Sequence, residues 1–326
     1  MDSLSFENRI DIQAISAATD KIKDEIGKVL VGQHEALELM LVAMLSGGHI
    51  LIEGVPGVAK TLTAKLLSRT ISVAFSRIQF TPDLMPSDVI GTNVYNPQKA
   101  NFEFRKGPIF SNIVLIDEIN RAPAKTQSAL FEVMEEKTIT VDGTRYNMET
   151  PFMVLATQNP VEHEGTYSLP EAQLDRFAFK ILVHYPKESQ EVDILLRHHQ
   201  NHSMHDSVEQ VQPVISNKEL EALRALVSNV SVDEKLLKYI AQITCSTRSK
   251  NGILLGASPR ASVSILHSAK ALATLRGRDF VTPEDITFVA LPALRHRLAL
   301  SAEKEMDGTT TDDMIKEILK GIEIPR

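Results

Sequence analysis

The sequence predicts an α/β protein: a five-stranded parallel sheet with helices on both faces and two β-hairpin inserts, followed by an all-helical domain. Up to His184, short apolar runs alternate with helical patterns, and this alternation is typical of a parallel sheet. The runs Ile113–Ile116 and Phe152–Thr157 are almost wholly apolar, as expected of strands covered on both faces. Beyond Pro186 the patterns are helical, which predicts a separate helical domain.

Length and composition support two folded domains. The chain has 326 residues, of which 43% are hydrophobic and 24% charged, an ordinary globular composition. At about 100–200 residues per domain, this length suits two domains. We expect the α/β core in residues 1–186 and the helical domain in residues 187–326, with a hinge at Lys187–Ser189. No apolar run reaches the length of a transmembrane helix, so we expect no membrane insertion.

The single cysteine and the charge narrow the class of protein. Cys245 excludes an intrachain disulfide, and we expect it to be a small buried residue of a helix. Because the N-terminus also lacks the apolar region of a signal peptide, we expect a cytoplasmic protein. The formal net charge is −7, with −6 from residues 1–190 (18 basic, 24 acidic) and −1 from residues 191–326 (17 basic, 18 acidic). Neither part has the basic excess of a general nucleic-acid binder, which argues against nucleic acid as a partner.

The core elements follow in the order that this alternation requires. Helical residues 1–48 end at Gly47-Gly48. Besides the two apolar strands, the patterns that come next predict the strand His49–Glu53, the helix Lys60–Arg69, the strand Val73–Phe80, the helix Ala124–Glu136 and the strand Phe179–His184.

Two hairpins are predicted to interrupt the core. Residues 81–110 contain the strand-like runs Val89–Tyr95 and Asn101–Arg105, separated by a polar turn. Residues 138–148 contain two further runs around Asp142-Gly143, a strong hairpin signal. Hairpins added to a compact core usually serve contacts with other molecules.

Capping residues mark four predicted helix starts in the helical domain, at Ser216, Ser231, Ser258 and Thr282. The first two stand three residues before a glutamate, as in a capping box, and the last two precede a proline suited to the first helical turn. A last helix is expected at Asp312–Leu319, after a solvated linker at Glu303–Thr311.

A phosphate-binding pattern lies between the first strand and the helix after it. The pattern is G-x-x-x-x-G-K-[ST], and it is carried by Gly54, Val55, Pro56, Gly57, Val58, Ala59, Lys60 and Thr61. Backbone N–H groups at a helix N-terminus cradle phosphate oxygens, Lys60 neutralises their charge, and Thr61 gives its hydroxyl to Mg²⁺. We therefore expect ATP and Mg²⁺ as ligands, and include Leu62 in the nucleotide-binding segment. Ala59 replaces the last glycine and suits the start of a helix, but not a left-handed backbone.

Polar side chains at the ends of two later strands complete a phosphoryl-transfer pattern. Asp117 would hold Mg²⁺, and Glu118 would orient and polarise the attacking water. Asn159 could form a hydrogen bond with the γ-phosphate or that water. Arg176 and Arg260 could each stabilise phosphoryl charge, or each could form an ordinary surface salt bridge; the residues alone leave both open.

In this order and spacing the elements resemble the AAA+ ATPases, and more closely the MoxR family, over roughly Val31 to Arg297. The segments that carry the resemblance are Val31-Gly32-Gln33, Gly54–Thr61, Phe80–Asp88, Glu118–Gln127, Ala156–Pro160, Leu169–Phe177 and Gly256–Ala261. The alanine at position 59 is usual in that family.

The resemblance implies roles for single residues. Val31, Gly32 and Gln33 would border the adenine, and Asn159 would be the residue called sensor 1. Arg260, in the lid domain, would be sensor 2 and point back toward the phosphates of its own chain. Arg176 would be the arginine finger that a neighbouring subunit receives, with Arg121 as the other candidate.

The resemblance also implies a function. Members usually form hexameric rings and are thought to act as chaperone-like, Mg-ATP-dependent motors on protein partners, often partners with a von Willebrand factor A domain. A metal-chelatase motor subunit or a non-hydrolysing nucleotide switch is an alternative, although Glu118 and Arg176 argue against the switch.

A ring-forming nucleic-acid motor is a further alternative. It would need basic or aromatic side chains on the hairpins, and residues 135–149 offer Lys137, Arg145 and Tyr146 against four acidic residues. A histidine group, His198, His199, His202 and His205, could bind a metal through its i,i+4 pair, but a polar helix end explains it as well.

Overall fold

A computed structural model describes residues 12–55, 57–159, 167–199 and 208–325, apart from the side chains of residues 12–14 and 198. Two helices precede the sheet: α1 (Ile12–Gly27) and α2 (His34–Ser46). Helix α2 ends where predicted, because Gly47 adopts a left-handed conformation (φ 74°) and its N–H donates to carbonyls of the last turn.

The predicted five-stranded parallel sheet is confirmed. The strands of this region are β1 (His49–Gly54), β2 (Phe75–Gln79), β3 (Gly91–Asn96), β4 (Asn101–Lys106), β5 (Ile113–Asp117), β6 (Thr138–Val141), β7 (Thr144–Asn147), β8 (Met153–Gln158) and β9 (Phe177–Val183). The sheet has the order β2-β5-β8-β1-β9, and all its pairs are parallel. The carboxyl ends of its strands therefore lie together on one side, called the carboxyl edge below, and the amino ends lie together on the other side, the amino edge.

Helices cover both faces of this sheet. They are α3 (Lys60–Thr70), α4 (Pro86–Ile90), α5 (Ala124–Glu136) and α6 (Glu171–Leu174), with a 3₁₀ turn at Ile119–Arg121. Ile50 and Ile52 belong to one hydrophobic cluster, whereas Leu51 belongs to a second cluster on the opposite face. This alternation with period two explains why the central strands are apolar throughout.

Both predicted hairpins are confirmed, as the antiparallel pairs β3–β4 and β6–β7. The start of the first differs from the expectation, because α4, with Pro86 in its first turn, occupies the first residues of the run Val89–Tyr95. The two hairpins touch each other: the rings of Phe104 and Tyr146 stack with centroids 4.3 Å apart. They therefore form one continuous protrusion rather than two separate ones.

The rest of the chain is mainly helical, as predicted. Its helices are α7 (Glu188–His199), α8 (Asn217–Ser228), α9 (Glu234–Ser249), α10 (Pro259–Leu275), α11 (Pro283–Leu294), α12 (Ala302–Met306) and α13 (Thr311–Gly321). A small antiparallel pair, β10 (Ile253–Leu255) with β11 (Ala299–Leu300), was not expected, since strands this short show no alternation. Helix α12 lies within the predicted linker. The hinge at Lys187–Ser189 stays a prediction; helix α7 begins at Glu188, the second of these three residues.

Three of the four predicted helix caps are confirmed, at Ser216, Ser258 and Thr282. The capping box at Ser231 is wrong, because α9 begins at Glu234 with Asp233 as its cap. The backbone of Ser231 pairs instead with a distant loop, donating to Asp279 and accepting from Val281. A contact between residues so far apart in sequence gives no local signal.

The burial expected for Cys245 is also wrong, since this cysteine is exposed. The buried positions of α9 include Ile240, Ile243, Thr244 and Thr247, which form one face of the helix. Cys245 lies on the other face. Residues three or four positions apart share a helix face, and the residues at these spacings from Cys245, at positions 241, 242, 248 and 249, are exposed.

A buried histidine at the start of β1 predicts a loss of stability in weak acid. The Nε2 of His49 lies 3.1 Å from the carbonyl oxygen of Met134, and its Nδ1 accepts the N–H of Val154 at 2.9 Å. Burial lowers the pKa of His49 from 6.5 to about 4. The folded protein therefore holds this ring neutral, whereas the unfolded chain protonates it below about pH 6.5.

The free energy of unfolding should then be unaffected by His49 above pH 6.5 and fall as the pH drops toward 4, by about 1.4 kcal/mol per pH unit. Urea denaturation at pH 7.5 and pH 5.0 should show a loss of about 2 kcal/mol from this residue. In His49→Gln the loss between these pH values should be smaller by that amount, and an equal loss in both proteins would contradict the assignment.

Candidate functional site

The structure brings the predicted phosphate loop and acidic residues together at the carboxyl edge of the sheet. The loop follows β1, Asp117 ends β5, and β8 lies between these two strands. Gln158 pairs with Glu53, so Asn159, the next residue, lies beside the start of the loop. Asn159 is buried and stands between the loop and the acidic residues.

The loop runs from Gly54 to the start of α3 at Lys60, as the pattern predicts; Pro56 lies outside the described residues. A Cβ atom on Gly54 would come within 2.5 Å of the Val183 carbonyl oxygen, so the approach of β9 requires glycine there. Ala59 is left-handed, with φ 56°, which corrects the expectation of an ordinary helix start. For an alanine this conformation costs about 1–2 kcal/mol, so the loop keeps the glycine geometry without the glycine.

Lys60 and Thr61 form the first turn of α3, facing the loop. The Nζ of Lys60 donates to the carbonyl oxygen of Gly54 at 2.7 Å, which folds the ammonium group over the loop. The Thr61 hydroxyl makes no hydrogen bond within the described part of the chain. A cation and a helix N-terminus therefore meet at the loop, and this combination binds phosphate oxygens.

A cavity of about 820 Å³ adjoins the loop. Its lining includes six of the predicted residues, namely Val31, Gln33, Gly57, Val58, Ala59 and Leu62. Gln33 fixes one wall, because its Nε2 donates to the Val58 carbonyl oxygen at 2.8 Å. Gly32 does not line the cavity; it packs against α7, where a Cβ would meet Gln190 at 2.6 Å. The volume is in the range of small-molecule sites.

Sequence reasoning missed the opposite wall of this cavity. That wall is formed by the end of β9, by α7 and by the end of α11, which contributes Pro292 and Arg295. Arg295 is held by both oxygens of Asp312, at 3.0 and 2.9 Å. No motif marks these residues, because they approach the loop only through the packing of the helical domain on the core.

Asp117 presents a buried carboxylate at the edge of the sheet. Its Oδ1 accepts a hydrogen bond from Thr157 Oγ1 at 3.2 Å, and its Oδ2 lies 2.6 Å from Nε of Arg77. The guanidinium group of Arg77 shows that a positive charge fits beside Oδ2 of this carboxylate. Carboxylate and hydroxyl oxygens are the ligands that Mg²⁺ prefers, so Asp117 and Thr61 fit a magnesium site.

Glu118 is turned toward the β2 side of the edge. Its backbone is left-handed (φ 57°), its Oε2 accepts from Gln79 Nε2 at 2.7 Å, and Arg121 lies 3.2 Å from the same oxygen. Both donors contact Oε2, so Oε1 is the oxygen of this carboxylate that can accept from a water molecule. Arg121 is thus engaged beside the Glu118 of its own chain.

Arg176 lies at the opposite edge of the sheet. It precedes β9, whose first residue, Phe177, pairs with His49, whereas Val183 at the other end pairs with Gly54. Six residues separate the two ends of β9, which at about 3.3 Å each is about 20 Å. Arg176 therefore cannot reach the phosphate loop of its own chain.

Arg260 lies beside Arg176, and not at the cavity. Its Nη2 is 2.6 Å from Oε1 of Glu135, and Nη1 of Arg176 is 3.1 Å from Oε2 of the same carboxylate. The expectation that Arg260 points to the phosphates of its own chain is wrong. The cap of α10 explains why, since the Ser258 hydroxyl donates to Asp175 at 2.8 Å and so ties this helix end to the amino edge.

The candidate histidine metal site falls outside what the structure describes, because residues 200–207 and the side chain of His198 are among those left out. Within the described ranges there is no group of three or more His, Cys, Asp or Glu side chains suited to a metal ion. The helices of the same ranges also include none with the length and apolar character needed to cross a bilayer.

Comparison with known proteins agrees with this geometry. A family model named ATPase family associated with various cellular activities (AAA) matches residues 49–179, and an AAA lid domain model matches residues 245–318. The chain is 43% identical to Chaperone MoxR1 of Mycobacterium tuberculosis, over 93% of this chain and 81% of that protein. It is 45% identical to the uncharacterized YeaC of Bacillus subtilis, over 94% of both chains.

A solved structure is also similar. The crystal structure of a candidate ATPase from Cytophaga hutchinsonii superimposes with a TM-score of 0.88 at 44% identity, covering 96% of this chain and 98% of that one. The likeness therefore extends over the sheet and the helical domain together.

Proposed function

Because the chain belongs to the MoxR family of AAA ATPases, we propose that it is an Mg-ATP-dependent motor that remodels or activates protein partners. One observation carries the proposal: the loop with Lys60, the adjoining cavity and the acidic pair Asp117-Glu118 lie along one edge of the sheet. A nucleotide seated there has its base in the cavity and its phosphates over the loop.

Each residue then has a task in ATP hydrolysis. Backbone N–H groups of residues 54–61 and the ammonium of Lys60 bind the phosphates. Thr61 and Asp117 hold Mg²⁺, which supplies charge neutralisation when it is bound. Glu118 orients the water and accepts its proton, and Asn159 positions the γ-phosphate or the water.

Arg176 and Arg260 act on the nucleotide of a neighbouring copy. Arg176 lies about 20 Å from its own loop by the rise of β9, and Arg260 shares Glu135 with it at the same edge, so neither contacts the phosphates of its own chain. A second copy whose loop faces this edge receives them. The interface joins two different surfaces, and such head-to-tail contacts form a ring when the rotation between copies closes; as in the family, we propose a hexamer.

The paired hairpins are our proposed contact with protein partners. Tyr95 and Phe102 on β3 and β4 are exposed, and exposed aromatic side chains are common where proteins bind each other. Chaperone MoxR1, a relative, is named for this kind of action, and a von Willebrand factor A domain is the partner we propose. We also propose that it acts in the cytoplasm.

Removing the ammonium group of Lys60 tests the nucleotide site. A hydrogen bond to a charged group contributes about 1.5–3 kcal/mol, so Lys60→Ala should weaken ATP binding by about 10- to 150-fold at 1.4 kcal/mol per factor of ten. Isothermal titration calorimetry with ATP and Mg²⁺ measures the change. Lys65→Ala removes an exposed lysine of the same helix and should leave the affinity unchanged. Equal affinities in wild type and Lys60→Ala would contradict the site.

A nucleic-acid motor is the second candidate function, and one observation favours it. The β3–β4 hairpin, residues 91–106, contains three basic residues and one acidic residue, a net charge of +2, beside its exposed aromatic pair. Basic and aromatic side chains together bind single strands. Binding of a single-stranded oligonucleotide that weakens steeply with salt would favour this function over protein remodelling.

A further inference from the structure

One carboxylate holds both arginines at the amino edge. Glu135, in the last turn of α5, places Oε1 at 2.6 Å from Arg260 and Oε2 at 3.1 Å from Arg176. The two arginines come from different parts of the fold, one before β9 and the other from the first turn of α10. Glu135 is therefore one of the points at which the core and the helical domain share a charged contact, and it pairs with an arginine from each of them.

The other acidic residue nearby is already engaged. Asp175 Oδ1 lies 2.7 Å from Nε of Arg297, whose side chain is only 2% exposed, and its Oδ2 accepts from Ser258. Arg260 lies 3.6 Å from Asp175, a longer contact than the one with Glu135. Glu135 is thus the acidic residue that sets the position of Arg260.

The cluster faces outward and carries excess positive charge. Side chains of Arg260, Arg176 and Glu135 are 48%, 29% and 36% exposed. Among these three side chains, two arginines against one carboxylate leave a charge of +1. A phosphate group of a neighbouring copy would meet a positive surface on which Glu135 already holds two guanidinium groups side by side.

We propose that Glu135 is a positioning residue that holds Arg176 and Arg260 at a fixed spacing, so that both meet the neighbour's nucleotide together. This rests on the proposed function of the preceding section. Arg176 Nη1 also donates to the Phe131 carbonyl oxygen at 2.6 Å. Without the carboxylate, Arg260 would lose the shorter of its two acidic contacts, and the two like-charged side chains would repel each other. Stabilisation of phosphoryl charge depends on donors that are placed before the reaction, so misplaced arginines would slow turnover without changing how ATP is bound.

Glu135→Gln tests this separation of turnover from binding. Glutamine keeps the size of the side chain and loses its charge. We expect kcat to fall by about 10- to 100-fold, as for small misplacements of reacting groups, while the KM for ATP and the calorimetric ATP affinity stay unchanged. Glu136→Gln removes the same charge one residue away and should keep wild-type kcat.

Mixing experiments then assign Glu135 to a face of the subunit. Glu135→Gln mixed with Glu118→Gln should recover turnover, since at some interfaces an intact Glu118 meets intact Arg176, Arg260 and Glu135. Glu135→Gln mixed with Arg176→Ala should recover none, because both changes damage the same face. Thermal unfolding and native mass spectrometry monitor stability and assembly.

Three results would overturn the proposal: an unchanged kcat in Glu135→Gln, recovery in the mixture with Arg176→Ala, or a loss of activity matched by a loss of assembly. The last would show a structural role for Glu135. A shorter carboxylate, Glu135→Asp, keeps the charge and should fall between wild type and Glu135→Gln. The mixture of Arg176→Ala with Glu118→Gln tests the shared site independently, so its failure is distinguishable from failure of the Glu135 proposal.

Discussion

Arg176→Ala should slow ATP turnover by about 10³–10⁵-fold, the range typical of arginines that stabilise a transferring phosphoryl group. The affinity for ATP should be nearly unchanged. The physical reason is that an arginine of this kind stabilises the charge of the transition state more than that of bound ATP, so its loss affects the rate and not the affinity.

Steady-state phosphate release and calorimetric ATP binding measure the two quantities. Arg145→Ala, which removes an exposed arginine of β7, should turn over at the wild-type rate and controls for a general loss of surface charge. Turnover within a few-fold of wild type in Arg176→Ala would contradict the assignment. Arg121 would then be the next arginine to replace, although it is engaged with Glu118 of its own chain at 3.2 Å.

Glu118→Gln should retain ATP binding and lose turnover by about 10²–10⁴-fold, the usual contribution of a group that moves a proton in the transition state. Glutamine occupies the same space and can still meet Gln79 and Arg121, so the edge of the sheet should keep its shape. It cannot accept the proton of the attacking water. Glu132→Gln, an exposed change on α5, is the matched control. Wild-type turnover in Glu118→Gln would show that another residue activates the water.

The sheet and the carboxyl edge were predictable because their signals are local. A buried parallel strand is a short apolar run, and the residues that follow neighbouring strands must meet at one edge. Asp117, Asn159 and the loop could therefore be placed together before any coordinates were known. The resemblance to a family added the order of the elements and the names of their roles.

Features that depend on distant contacts could not be predicted in this way. The start of α9 moved because Ser231 pairs with a loop near residue 280. Ala59 adopts a glycine-like conformation that its identity argues against. Arg260 was expected at the phosphates, but the contacts of Ser258 with Asp175 and of Arg260 with Glu135 place the start of its helix at the other edge.

The far wall of the cavity also depends on contacts between residues distant in sequence, and it could not be predicted. The wall near the phosphate loop carries a pattern, whereas Pro292 and Arg295 reach the cavity from a helix more than 200 residues further along the chain. Their positions follow from the packing of α11 on β9. Arg295 also donates a hydrogen bond to the carbonyl oxygen of Lys180 in β9. Such packing is specified by many apolar residues together and by no short motif.

Phosphate release from mixtures of Arg176→Ala and Glu118→Gln, measured against the mixing ratio, tests most directly whether two subunits share one catalytic site. Each variant alone should be almost inactive. In mixed rings, the ATP of an Arg176→Ala subunit meets the intact Arg176 of a Glu118→Gln neighbour, so turnover should recover and be greatest at intermediate ratios. Native mass spectrometry establishes that the variants co-assemble. Mixed rings as inactive as the separate variants would contradict a shared site, because a site built within one chain would lack one of the two groups in every subunit.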